Sequence, residues 1–339
     1  MSLIAVQSLS RHFRVLNRRE GLIGAVRDLF SVDYRIVKAV DGVSFDIEPG
    51  EIVGYIGPNG AGKSTTIKMM TGILKPTHGS LLVDGNEPYE NRKSNARNIG
   101  VVFGQRTQLW WDLPVIESFK ILKEIYHVSN EVYDGQMALF NDLVDLRPLY
   151  HTQVRKLSLG QRMLCDIVAS FLHNPKIVFL DEPTIGLDVS VKSKIRTVIR
   201  ELNATHNTTI ILTTHDLGDV EALCQRIIII DKGKIIFDGP IKQVNEMFGA
   251  YRTLKVQILS FQDDTMDQIR AQMRKRFNGV PIIVENTEPG WTDITINQDE
   301  VPLLEVLNHA MGSFAVHDVR IVEISMENVV QKIYEGALE

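Results

Sequence analysis

The segment Gly57-Pro-Asn-Gly-Ala-Gly-Lys63-Ser64 constrains the fold of this chain more than any other, because it fits the pattern G-x-x-x-x-G-K-[ST]. It follows residues 34–56, which alternate apolar and polar positions like a strand, and precedes residues 63–74, whose apolar side chains recur at helical spacing. In such a loop, glycines let backbone N–H groups turn toward phosphate oxygens, the lysine adds positive charge and the hydroxyl can hold Mg²⁺. We therefore predict that a nucleotide's phosphates are bound by Gly57, Pro58, Asn59, Gly60, Ala61, Gly62, Lys63, Ser64 and Thr65.

Two carboxylates end a second predicted strand. Residues 177–180 form a continuous apolar run, as a buried parallel strand requires, and Asp181 and Glu182 follow directly. Alone, a strand that ends in two acids is more often a solvated strand end. Together with the loop at Gly57 the pair favours catalysis, because an open parallel sheet places its ligand crevice at this edge. We predict that Asp181 orients the Mg²⁺ shell and that Glu182 accepts a proton from attacking water.

The order of predicted elements indicates an α/β core. Residues 160–174 and 188–206 have helical periodicity, and they alternate with buried strands at 177–180 and 209–213. Helices at 114–127 and 131–146 form a helical insert, which spans about residues 106–174. The dipeptides Lys232-Gly233 and Asp238-Gly239 punctuate a last hairpin, and a helix near 241–248 leads to Gly249.

We place a domain boundary at Gly249, so that the domains are residues 1–249 and 250–339. The second domain is predicted to contain strand 253–260, helix 265–278, strands 281–286 and 291–297, helix 300–312, strand 315–323 and helix 326–336. This order is that of a ferredoxin-like α+β domain with an extra helix.

Charge and hydropathy exclude several classes of function. The chain has 37 basic and 42 acidic residues. The part before residue 249 carries 29 basic and 28 acidic residues, and the part after it carries 8 basic and 14 acidic residues. Neither part is strongly basic, so we predict no nucleic-acid partner. No run approaches the roughly 18 apolar residues of a membrane-spanning helix. The basic N-terminus does not read as a secretory signal, and two cysteines make no disulfide framework, so we predict a cytosolic protein.

Further motifs, in the same order along the chain, resemble those of the nucleotide-binding subunits of ATP-binding cassette (ABC) transporters. Leu157-Ser-Leu-Gly-Gln161 is similar to the LSGGQ signature, with Leu159 where the family usually has glycine. The run PTIGLD, which ends at Asp188, resembles the D-loop. Gln105 after VVFG resembles the Q-loop glutamine, His215 resembles the switch histidine, and Tyr34 lies 23 residues before Gly57, where the family has an adenine-stacking ring.

This resemblance implies a P-loop NTPase core with an antiparallel β-subdomain and a helical subdomain. It implies ATP and Mg²⁺ as ligands, with Gln105 at the metal and Gln105 and His215 at the γ-phosphate. It also implies a homodimer around two ATPs, in which Ser158, Gly160, Gln161 and Asp188 meet the nucleotide of the other copy. Ser158 and Gly160 precede a predicted helix whose positive N-terminal end favours an anion, although Ser158 can also simply cap that helix.

Narrower features resemble the ATPases of ABC type-2 exporters, which work with separately encoded membrane permeases. The C-terminal segment ISMENVVQKIYE, the segment RTQLWWDLP and the variant LSLGQ are similar to a bacterial branch of uncharacterised or drug-exporting systems. The resemblance places the chain at the cytoplasmic face of the inner membrane. The alternatives are a soluble ABC ATPase of translation or DNA repair, which the single cassette without heptads disfavours, and an importer ATPase, which would normally carry a β-barrel tail.

Two segments are not needed for nucleotide binding. Trp110 and Trp111 lie in a predicted loop, and we predict that at least one lines the groove for the permease's coupling helix; the alternative is that both pack on the helical insert. Residues 16–33 carry an apolar helical stripe flanked by arginines. We predict a helix at the permease-facing side near the membrane, and the alternative is a cover for the β-subdomain.

Overall fold

A computed structural model of the protein describes residues 2–16, 34–104, 106–214, 216–248, 251–258, 265–280, 282–288 and 290–323. The chain divides into two compact units, Met1–Ile241 and Lys242–Glu339. Some features predicted from the sequence lie outside the described residues, namely Gln105, His215, the domain boundary at Gly249, nearly all of segment 16–33 and the helix at 326–336.

The strands of the first unit are β1 (Ile4–Leu16), β2 (Tyr34–Ile47), β3 (Ile52–Ile56), β4 (His78–Val83), β5 (Ile99–Phe103), β6 (Ile177–Asp181), β7 (Thr209–Thr213), β8 (Arg226–Asp231) and β9 (Lys234–Pro240). Six of them form the main sheet in the order β5-β6-β7-β3-β8-β9, and all neighbours are parallel except β8 and β9. The inner strands are buried along nearly their whole length, because both faces of a parallel sheet are covered. Their carboxyl ends therefore meet at one edge.

The helices of this unit are α1 (Lys63–Met70), α2 (Arg92–Asn98), α3 (Val115–Tyr126), α4 (Asn130–Val144), α5 (Leu159–Phe171), α6 (Val189–His206) and α7 (Leu217–Leu223). Helix α8 (Ile241–Phe248) begins at the last residue of the unit. The alternation of strands and helices confirms the predicted α/β core. The helices α3, α4 and α5 lie between β5 and β6 and form the helical subdomain.

A second, antiparallel sheet in the order β2-β1-β4 forms the β-subdomain. Its central strand pairs at Ile4 with Ile47 on one side and with Val83 on the other. The pairing of β1 with β2 continues to Leu16 and Tyr34. The apolar residues of this sheet are buried against the main sheet in one core.

One turn predicted from the sequence is wrong. Lys232 and Gly233 have φ of 46° and 80° and form the tight turn between β8 and β9, as such dipeptides do in hairpins. Asp238 and Gly239, by contrast, pair with Ile228 and Ile227 inside β9. The second dipeptide is therefore part of the strand.

The second unit contains β10 (Tyr251–Ile258), α9 (Thr265–Arg276), β11 (Ile283–Glu288), β12 (Trp291–Asn297), α10 (Leu303–Ser313) and β13 (Val316–Glu323). Its sheet has the order β11-β12-β10-β13 with every pair antiparallel. Both helices pack their apolar residues on one core with Leu254 and Val256 of β10. This arrangement confirms the predicted ferredoxin-like fold. In the described part of the chain, no helix has both the length and the hydrophobicity to cross a membrane.

Candidate nucleotide-binding site

The loop Gly57–Gly62 connects β3 to α1 and lies so close to other strands that two of its glycines are sterically required. A Cβ atom on Gly57 would lie 2.2 Å from the carbonyl oxygen of Ile230. One on Gly62 would lie 2.4 Å from the carbonyl oxygen of Ala39, and Gly62 has a φ of +115°, which other residues rarely adopt. The loop is thus held between β2 and β8, with α1 starting directly after it.

Lys63 is a buried cation at the start of α1. Its Nζ donates hydrogen bonds to the carbonyl oxygens of Gly57, at 2.6 Å, and Pro58, at 3.3 Å. Burial lowers the pKa of Lys63, while the negative charges of Glu182 and Asp181 oppose that shift. The first turn of α1 has no acidic residue, so the positive end of the helix adds to the positive potential of the loop.

The structure brings Ser64 and Asp181, which the sequence assigns to a metal site, close together. The Ser64 hydroxyl donates to Asp181 Oδ2 at 3.4 Å, and Thr213 Oγ1 of the neighbouring strand donates to Asp181 Oδ1. Hard oxygen ligands at adjacent positions of an octahedral Mg²⁺ shell are about 3 Å apart, so the two oxygens fit this cation. The described residues contain no cluster of three or more His, Cys, Asp or Glu that could hold a metal. Mg²⁺ commonly keeps waters and phosphate oxygens as its remaining ligands.

Glu182 has an unusual backbone conformation. Its φ is +57°, in the left-handed region that non-glycine residues adopt mainly where the surroundings impose it. Its N–H donates to the carbonyl oxygen of Thr213 at 2.9 Å, and Gly104 N–H donates to that of Asp181 at 2.7 Å. A Cβ on Gly104 would lie 2.3 Å from the Glu182 carbonyl oxygen. The end of β6 is therefore clamped between β5 and β7.

An open cleft of about 820 Å³ brings the loop and both carboxylates together. Several of its residues were not among the predicted site residues, namely Ala39, Lys68, Ile73, Phe103, Gly104, Arg106 and Ile185. Lys68 and Arg106 add two cations, as a site for a polyanion requires. Tyr34 does not line this cleft; it lies at the start of β2 and is 46% exposed, and Ala39 is the residue of that strand at the cleft.

The signature residues lie at the N-terminus of α5. Ser158 is the N-cap: its Oγ accepts from Gln161 N–H, and the Gln161 side chain accepts from Ser158 N–H, which forms a capping box. A Cβ on Gly160 would lie 2.6 Å from Val191 of α6, so this glycine allows the two helices to approach closely. Asp188 is the N-cap of α6, and its Oδ1 accepts from Val191 N–H. The capping interpretation of Ser158 is thereby confirmed, and its contact with nucleotide stays a prediction.

Asp166 of α5 is a buried carboxyl that the sequence motifs did not indicate. Its Oδ1 accepts from Thr107 Oγ1 at 2.8 Å and from Gln108 N–H at 3.0 Å, so it ties the loop after residue 105 to the signature helix. Burial raises the pKa of Asp166 to about 6, against the opposing effects of these hydrogen bonds and of Arg162.

This raised pKa gives a testable pH dependence. The pKa of Asp166 is about 6 in the folded chain, above its ordinary value of 3.8, so the folded chain binds this proton more tightly than the unfolded chain does. The stability that the bound proton contributes is therefore present below pH 4 and is lost as the pH rises to about 6. The shift corresponds to roughly 3 kcal/mol. The Asp166→Asn variant keeps a hydrogen-bond acceptor but does not titrate. The difference in the free energy of unfolding, variant minus parent, should therefore rise by about this amount between pH 4 and pH 7.

Urea titrations across this pH range measure the effect. Asp142→Asn, which removes an exposed carboxylate of α4, is the control and should show a much smaller pH-dependent difference. A difference between Asp166→Asn and the parent that is flat with pH would contradict the prediction.

The sheet order, the loop and the paired carboxylates define a P-loop nucleoside triphosphatase. A family model described as ABC transporter matches residues 40–185. The ATP-binding protein NatA of Bacillus subtilis (strain 168) is 32% identical over 212 residues, which cover 62% of this chain and 86% of that protein. The chain belongs to the ABC transporter family: it is an ATP-binding subunit that hydrolyses ATP and is associated with a membrane transporter.

Other relatives differ in the direction of transport that their names print. A Nod factor export ATP-binding protein I of Cupriavidus pinatubonensis is 29% identical over 280 residues, 82% of each chain. The methionine import protein MetN of Mannheimia succiniciproducens is 31% identical over 268 residues, 76% of each chain. Among solved structures, the dimeric cassette MJ0796 bound to ADP and Pi shares the fold, with a TM-score of 0.57 and 23% identity over 70% of this chain and 98% of that one.

Proposed function

We propose that this chain is the Mg²⁺-dependent ATPase of an ABC exporter. The observation that carries this proposal is the cleft in which Lys63, Ser64, Asp181 and Glu182 meet. In it, Lys63 and the N-terminus of α1 bind the phosphates, and Ser64 and Asp181, with Gln105, would hold Mg²⁺. When bound, Mg²⁺ neutralises negative charge on the phosphate oxygens.

The protein's own side chains contribute to hydrolysis through their positions and charges. Glu182 accepts a proton from the attacking water, and its backbone N–H donates a hydrogen bond to the carbonyl oxygen of Thr213 in the neighbouring strand. Gln105 and His215 orient the γ-phosphate. Hydrolysis of this kind depends on positioning and electrostatic stabilisation more than on covalent chemistry, which fits a site built on strand ends and a helix terminus.

We further propose that the chain works as a homodimer with permease subunits at the cytoplasmic face of the membrane. The exposed N-terminus of α5 offers an anion site that this chain's own cleft does not use, since Ser158 is not among the residues that line it. A second copy would bring its ATP to this helix end.

Export is the direction that the sequence motifs favour, and the relative named for Nod factor export agrees. Import is the second candidate, because the similarity to MetN extends over 268 residues, more than the length of the unit Met1–Ile241.

Transport in inside-out membrane vesicles tests the direction. The intact complex is purified with its permease, its bound small molecules are identified, and the labelled compound is then added outside vesicles that contain the complex. An exporter accumulates the compound inside on addition of ATP. Absence of accumulation, together with ATP-driven release of preloaded compound, would establish import instead.

Trp110 and Trp111 are expected to couple this ATPase to the permease. The two residues are 38% and 49% exposed, and the guanidinium of Arg162 lies 5.3 Å from the centre of the Trp111 ring. Large exposed rings beside a cation are typical of interface anchors. Alanine at both positions should reduce transport about tenfold or more and leave ATP affinity unchanged.

Transport and ATP binding of the assembled complex are the measurements. Ile125→Ala, which removes another exposed apolar side chain of the helical subdomain, is the matched control and should transport normally. Unchanged assembly and export in the double tryptophan variant would contradict this role.

A further inference from the structure

Asp219 of α7 is a fully buried carboxylate with partners on three other segments. Its Oδ1 accepts a hydrogen bond from Arg196 Nε of α6 at 2.6 Å. Its Oδ2 accepts from the hydroxyls of Thr184 and Thr214, both of which are also buried, the Thr214 bond being 3.4 Å long. An ionised group in such a place is tolerated only when it is paired and hydrogen-bonded, and a network of this kind fixes its members in one arrangement.

In the sequence, each of the two threonines lies next to or near one of the proposed catalytic residues. Thr184 comes two positions after Glu182, and Thr214 comes directly before His215. The Thr214 hydroxyl also accepts from Asp216 N–H at 2.9 Å, so the chain is held on both sides of position 215. One carboxylate is thus bonded to the segment after Glu182 and to the segment before His215.

Two cations of α6 complete this network. The Asp216 carboxylate accepts from Lys192 Nζ and lies 3.7 Å from Arg196 Nη2. The helix that carries both cations begins after Asp188. The network therefore connects α6 to the loops at the ends of β6 and β7.

We infer that Asp219 is a positioning residue that fixes the turn after Glu182 and the chain at Thr214, which leads into His215. This inference rests on the proposed roles of Glu182 and His215. Glu182 has a left-handed backbone, which costs energy and persists only where its surroundings impose it. The bond from Thr184 to Asp219 restrains the turn two residues later. A catalytic group displaced by 1 Å can lose about 10²-fold in rate, so this restraint acts on turnover.

Thr184→Val and Thr214→Val test the inference. Valine has the shape of threonine without its hydroxyl, and both variants keep the Asp219–Arg196 ion pair. Each should lower kcat for ATP hydrolysis about tenfold and change the KM for ATP less than about twofold. Thr184→Ser and Thr214→Ser restore the hydroxyl and should recover kcat.

The matched control is Thr208→Val. Thr208 is equally buried, but its hydroxyl donates to the carbonyl oxygen of Pro175 at 3.1 Å, outside this network. It should lower the melting temperature as much as the other two valine variants and leave kcat unchanged. Assays are run well below the lowest melting temperature of the set, so that a loss of kcat is not a loss of folded protein.

Combination with Glu182→Gln separates this inference from the proposed function. If Asp219 acts through Glu182, Thr184→Val should cause no further loss of turnover in the Glu182→Gln background. Normal hydrolysis by Glu182→Gln alone would overturn the proposed base. The positioning role would be overturned if Glu182→Gln is inactive but Thr184→Val and Thr214→Val have the same kcat as the control Thr208→Val.

Discussion

Glu182→Gln should bind ATP like the parent and lose turnover by about 10²- to 10⁴-fold, the usual contribution of a general base. The substitution leaves the loop at Gly57–Gly62, Lys63 and the Ser64–Asp181 pair in place, so the groups proposed for the phosphates and Mg²⁺ remain. Glutamine keeps the size of the side chain but cannot accept the proton. A dimer should then accumulate in the presence of ATP, because hydrolysis no longer separates the two copies.

Equilibrium binding of labelled ATP, steady-state hydrolysis in the assembled transporter and size-exclusion chromatography with ATP measure the three expectations. Lys63→Ala is the informative comparison, because loss of the buried cation should weaken ATP binding itself. Glu201→Gln, on the exposed side of α6, should behave like the parent. Hydrolysis by Glu182→Gln near the parent rate would show that another group is the base.

The parts of this site that were predictable from the sequence are those in which neighbouring residues act together. The loop at Gly57 and the acids at Asp181 and Glu182 each follow a buried strand, and parallel strands place such ends at one edge. Their meeting in one cleft follows from that rule. The helix caps at Ser158 and Asp188 are equally local, because a cap bonds to a backbone group three residues later.

The buried carboxyls were not predictable, because their partners are distant in sequence. Asp166 meets Thr107 across 59 positions, and Asp219 meets Thr184 across 35. An aspartate within a helix carries no sign of which loop will bond to it. Only the packing of α5 and α7 against the strand ends reveals these pairs.

Two elements were missed for a different reason. The helix α2 has the sequence RKSNARN, which contains no apolar stripe, and its formation depends on tertiary contacts such as Asn95 Nδ2 to the carbonyl oxygen of Met70. The strand β4 begins with His78-Gly-Ser, residues that do not favour strands, and it is held by pairing with β1. Conversely, Asp238-Gly239 is a strong turn signal, but ladder pairing with β8 overrides it.

The composite site gives the second large effect. If Ser158 contacts the ATP of the other copy, each ATP site needs Lys63 from one copy and Ser158 from the other. The Ser158→Arg and Lys63→Ala homodimers should then both be inactive, because every site lacks one of these two residues. A mixed dimer has one complete site, with Lys63 from the first variant and Ser158 from the second. In an equal mixture that exchanges subunits freely, half of the dimers are mixed, so activity should return to about a quarter of the parent value.

The surface around the helix end fits this expectation. Ser158 is exposed, and Val189 at the start of α6 is 84% exposed, so a second copy could reach both. Arginine at position 158 removes the N-cap, which costs about 1 kcal/mol, and fills the space that an anion would take. The effect of lost capping has to be separated from that of lost contact with ATP.

Ser129→Arg supplies that separation, because Ser129 caps α4 through Val132 N–H. This variant should lose similar stability and keep its hydrolysis rate. The measurement is hydrolysis by each homodimer and by the mixture over a range of mixing ratios, which should peak at equal amounts. An active Ser158→Arg homodimer, or a mixture no more active than its parts although mass spectrometry detects mixed dimers, would show that the end of α5 does not complete the site of a second copy.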